Sequence, residues 1–175
     1  LSKIRTTDFL PLYGVPFVVS DNFDVCGMKT TAGCIGYQKC PKVSCAVVKL
    51  LEKAGAVLVG KTNLDQFGAS LTGTESSFGV PKNPASPSLA PGGNAGASVA
   101  VTTGLASFAV TTDTCGASIV PPALSGIFGL KATEGLISLG GIVPSCPSMD
   151  CISIMATTAN DILSVLKVCT TTPSS

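Results

Sequence analysis

Between Lys82 and Asp113 the chain carries no charged side chain, and residues 95–110 within that run are small or apolar apart from Ser and Thr. A segment of that composition has little to hold it in water, so the rest of the chain must fold around it. The loop Pro91-Gly92-Gly93-Asn94-Ala95-Gly96 opens a helix of small residues, and Phe108 to Thr112 then suits a buried strand. The run is long enough to raise a membrane span. Gly96, Gly104, Ser98, Thr102, Thr103 and Ser107 break it, which fits a buried helix passing into a strand better than a lipid-facing one. The adjacent Gly92 and Gly93 let the backbone take positive φ and approach another group closely, serving either ligand binding or close packing.

Elsewhere the hydrophobic period alternates between strand and helix. Tyr13 to Val19 reads as a short buried strand, followed by a polar turn at Ser20, Asp21 and Asn22 where chemistry would sit. Val43, Ala46, Val47, Leu50, Leu51 and Ala54 fall at helical spacing, with Pro41 suited to the first turn and Gly55 to the C-terminal end. Ala56 to Val59 then predicts a buried strand, and a further strand is expected over Ile127 to Lys131. Thr158 and Asp161 resemble a capping box opening an apolar helix. This alternation predicts the α/β class, a mixed β-sheet flanked by helices, with residues 1–169 in a single domain and 170–175 a fraying tail.

Gly55 to Thr62 matches the phosphate-binding pattern G-x-x-x-x-G-K-T letter by letter. Such a loop wraps phosphate with flexible backbone N–H groups, whereas Ala56-Val57-Leu58-Val59 favours a strand, so the nucleotide reading is set aside.

Charged residues make up 12% of the chain and the net charge is +1 with no basic cluster, which leaves no electrostatic footprint for nucleic acid. No histidine occurs, so Ser-His-Asp, Cys-His and His-metal centres are all excluded. The eight cysteines, including Cys40 and Cys45 or Cys146 and Cys151, lack the two-residue gaps of zinc sites, and no metal or cofactor is expected. Their even number permits disulfides in an exported protein, and small buried thiols are the alternative. Leu1 to Leu10 is charged and has no apolar core, so it does not read as a signal peptide, while a start at Leu suggests processing.

Several longer motifs stand in order. Gly14-Val15-Pro16-Phe17 with Asp21-Asn22, Thr30-Thr31-Ala32-Gly33, and Gly60-Lys61-Thr62-Asn63-Leu64-Asp65-Gln66-Phe67 resemble the opening half of amidase signature enzymes. Pro91-Gly92-Gly93, Thr112-Asp113-Thr114, Val120-Pro121 and Gly129-Leu130-Lys131 continue the resemblance in register, over about Leu10 to Val168. Val143-Pro144-Ser145-Cys146 with Met149-Asp150-Cys151 looks most like the allophanate hydrolase branch.

The resemblance implies a serine nucleophile, a second serine after a cis peptide, a neutral lysine as proton acceptor, and backbone N–H groups forming an oxyanion hole. On this chain the lysine belongs where Ser20 stands and the nucleophile where Ala117 stands. The second serine belongs at Asn94, give or take one position, because the segment from Asn94 to Ala117 is one residue shorter than usual. Ile119 takes the place of a usual arginine. The triad is thus expected to be degenerate, and the chain an inactive, structural or binding member of the family. Ser118 and Cys115 are the rescue candidates for a weak amide hydrolase, with Asp21 and Asp113 as the nearby bases; Gly92, Gly93, Asp113, Thr114 and Gly116 are the expected ligand contacts. Lys61 is expected to be structural. Family enzymes are more than twice as long, so a sheet cut short should expose an edge and an apolar face, favouring a homo-oligomer or a protein partner, with a small amide as the ligand. The resemblance implies a cytoplasmic location; the cysteines keep a secreted, disulfide-stabilised interaction protein as the other alternative.

Overall fold

A computed structural model describes residues 10–170. Five strands, β1 (Pro16–Ser20), β2 (Val57–Thr62), β3 (Phe108–Asp113), β4 (Phe128–Lys131) and β5 (Cys151–Ala156), form one mixed sheet in the order β2-β1-β3-β5-β4. β1 runs parallel to β2 and β3, whereas β5 is antiparallel to both β3 and β4. The helices are α1 (Ala46–Lys53), α2 (Ala95–Thr102), α3 (Val120–Ser125) and α4 (Ala159–Cys169). The α/β class read from the sequence is the one observed.

The sheet divides two cores. On one face Val47, Val48 and Leu51 of α1 and Ile162 and Val165 of α4 pack on Phe17, Phe108, Val110, Ile152 and Ile154. Phe17 and Phe108, register partners on β1 and β3, stack with ring centroids 5.2 Å apart. On the other face the small residues of α2, Ala97 and Ala100 with Val101, sit on Val18, Ala109 and Met155. Their small volume lets α2 lie close to the sheet, and Gly96 allows the closest approach: a Cβ there would lie 2.6 Å from the backbone nitrogen of Asn63.

Local chemistry sets the helix ends. Gly55, at φ +91°, ends α1 in a Schellman motif, with Gly55 N–H donating to Glu52 and Ala56 N–H to Leu51. At α4 the Thr158 hydroxyl accepts from the Asp161 N–H, the cap expected from the sequence. The fraying expected for 170–175 lies outside the described residues except at Thr170, which caps α4; the signal-peptide reading likewise falls on undescribed residues apart from Leu10.

Two expectations are corrected, and two elements were not foreseen. α1 begins at Ala46 with Cys45 as its N-cap, so Pro41 lies before the helix rather than in its first turn. The strand expected over Ala56 to Val59 spans Val57–Thr62, and it is the edge of the sheet rather than a buried strand. β5, unforeseen, is buried along its whole length between β3 and β4, and α3 was also missed. Gly60, Lys61 and Thr62 lie within β2, so the phosphate-loop pattern has no loop to act through. No helix among the described residues is long and apolar enough to cross a membrane. All eight cysteines are free thiols.

Candidate functional site

The carboxyl ends of β1 and β3 are adjacent, because these parallel strands pair as Phe17 with Phe108 through Val19 with Val110. Crevices beyond such strand ends are where open α/β sheets place ligands. β1 delivers Ser20 to this point, β3 delivers Thr111, Thr112 and Asp113, the N-terminus of α2 delivers Asn94, and the loop into α3 delivers Cys115 to Ser118.

Asn94, 1% exposed, is the hub. Its Oδ1 accepts from Ser20 Oγ at 2.9 Å, while its Nδ2 donates to Thr112 O and Ser118 Oγ, both at 2.8 Å, and reaches Ala117 O at 3.3 Å. Its backbone N–H donates to Ala117 O at 2.9 Å. The side chain of this N-cap residue makes no capping bond to α2, because both of its polar ends are engaged across the crevice. Ser20, Asn94 and Ala117, the positions singled out from the sequence, are therefore brought together, and the joint they form is closed. The peptide bonds of the described residues are all trans.

Ser118 is fully buried, and its hydroxyl donates to Thr112 O at 2.8 Å while accepting from Asn94 Nδ2 and from Thr111 Oγ1 at 2.7 Å. One donor and two lone pairs are thereby used, which is the full capacity of a hydroxyl. Asp113, also fully buried, accepts from Gly116 N–H and Ser118 N–H at 2.8 and 2.7 Å and pairs with Lys131 Nζ at 3.1 Å. Desolvation works to lower the Lys131 pKa, but the hydrogen bond and charge of Asp113 together outweigh it and hold the ammonium above its ordinary value. The same carboxylate thus occupies two backbone donors of the loop. Cys115 is exposed, and no carboxylate hydrogen-bonds its thiol among the described residues.

The glycines serve packing. A Cβ on Gly93 would lie 2.4 Å from Ala117 O, and one on Gly92 2.9 Å from Leu71 O. Thr114 Oγ1 bonds the Asp150 carboxylate, whose other contacts are the N–H groups of Ser145 and Cys146. Beside it a groove of about 450 Å3 runs between Thr114, Lys131, Thr133, Glu134 and Met149. Of the five expected ligand contacts, Thr114 lines this groove, while Gly92, Gly93 and Asp113 are buried.

Asp21, the other carboxylate considered as a base, belongs to a separate cluster. It pairs with Lys61 Nζ at 2.7 Å and accepts from Thr31 N–H at 3.0 Å, and Lys61 also donates to Lys29 O and Thr30 Oγ1. Burial pushes the Lys61 pKa down despite Asp21 opposing it. Lys61 is thus a structural tie between β2 and the loop at 29–31. Among the described residues no cluster of His, Cys, Asp or Glu is arranged to hold a metal. The sequence reading missed the Thr111 hydroxyl and the Thr112 carbonyl that complete the joint; two threonines at a strand's carboxyl end were the available signal.

The chain matches the family described as Amidase over residues 2–173. It is 45% identical over 164 residues to urea amidolyase of Saccharomyces cerevisiae, covering 92% of this chain and 9% of that protein. It is 40% identical over 154 residues to one of the subunits of the glutamyl-tRNA(Gln) amidotransferase of Mycoplasma pneumoniae, covering 87% of this chain and 32% of that one. The structure of Kluyveromyces lactis allophanate hydrolase superposes with a TM-score of 0.94 at 42% identity, covering 97% of this chain and 28% of its own. The chain therefore spans about a third or less of the lengths of these relatives.

Proposed function

The chain belongs to the amidase family, and from that membership we propose that it is a member whose hydrolytic centre has become a structural joint, leaving a binding or assembly module. The observation that carries this reading is the hydrogen-bond saturation of Asn94 and Ser118 around Ala117. Acyl transfer by a hydroxyl needs a proton that a base can remove. Ala117 presents a methyl group, the Ser20 hydroxyl is engaged by an amide oxygen, and the Ser118 hydrogen is held by a backbone carbonyl. Asp113 is committed to two backbone N–H bonds and a lysine, and no hydroxyl among the described residues hydrogen-bonds it. Losing nucleophile and base together costs a triad enzyme on the order of a million-fold in turnover.

The runner-up is a weak amide hydrolase working through Cys115, favoured by that thiol's exposure beside the loop. A thiol-reactive probe together with release of ammonia from allophanate separates the readings. Labelling of Cys115 accompanied by turnover that Cys115→Ala abolishes would favour the enzyme; labelling without turnover supports the module.

The groove at Thr114, Lys131 and Glu134 is where a small amide would sit, taking N–H donation from Lys131 at its oxygen and giving its own N–H to Glu134. Eight free thiols suit a reducing compartment, which favours the cytoplasmic location over the secreted, disulfide-stabilised alternative. The amidotransferase relative is by name one component of a larger enzyme, and assembly with a second polypeptide is the role proposed here.

A further inference from the structure

We draw no further inference here: the strongest candidate, the groove lined by Thr114, Lys131, Glu134 and Met149, belongs to the site already described, and its side chains select no ligand beyond the small amide proposed for it.

Discussion

Ser20 and Asn94, 74 residues apart in sequence and both fully or almost fully buried, meet through a 2.9 Å hydrogen bond from Ser20 Oγ to Asn94 Oδ1. The bond ties the end of β1 to the start of α2, and through Asn94 Nδ2 to the end of β3 and the loop into α3. Polar groups are tolerated here because each member of this chain of bonds is satisfied. A network of that kind is costly to interrupt.

Asn94→Ala should therefore act on stability first. It leaves the Ser20 hydroxyl, the Thr112 carbonyl and the Ser118 hydroxyl each short of a partner in a buried site, and a loss of about 3 kcal/mol is expected. Urea unfolding reads this directly. Ser118→Ala removes the group on which Thr111 and Asn94 both converge and should cost about 2 kcal/mol. A variant of either kind as stable as the parent would mean the joint is not holding the strand ends together.

Glycine substitutions should separate close packing from open edge. Gly96→Ala forces a Cβ to 2.6 Å from the Asn63 backbone nitrogen, where backbone cannot yield cheaply, and should lower stability by about 3 kcal/mol. Gly60→Ala, in β2, meets nothing within 4 Å and needs no positive φ, so it should be neutral or slightly stabilising. Thermal unfolding of the two variants side by side makes the comparison.

Alkaline pH should weaken the fold through a thiol. Burial pushes the Cys169 pKa from 9.0 up to about 12. Above pH 9 the unfolded chain releases this proton while the folded chain keeps it, so stability falls as pH rises, by about 1.4 kcal/mol per unit until the folded thiol also ionises. Stability curves at pH 8 and pH 10 should diverge for the parent and much less so for Cys169→Ala. Equal pH slopes in the two would show that the thiol is not buried as described.

Much of the fold could be read from period and punctuation. The Gly55 stop, the Thr158 cap and the small-residue helix before Phe108 were each legible because each follows from local backbone chemistry. β5 was not, since Cys151–Ala156 is buried on both faces and its side chains show no alternation to mark a strand. The position of β2 was misread for the converse reason: Val57-Leu58-Val59 is apolar enough for an interior strand, and only the topology makes it an edge. At the site, Ser20, Asn94 and Ala117 were singled out from the sequence, and the structure brings them together. That they bond through Asn94 to Ser118 and the β3 threonines was not legible, because the partners come from four separate stretches of chain.

Release of ammonia from allophanate and from a simple carboxamide, by the purified chain and by its Ala117→Ser variant, tests the central claim most directly. No turnover is expected from the parent, and none from the variant either, since a hydroxyl restored at position 117 still has no free base beside it. Turnover by the parent that persists through repeated purification and disappears in Cys115→Ala or Ser118→Ala would contradict the account.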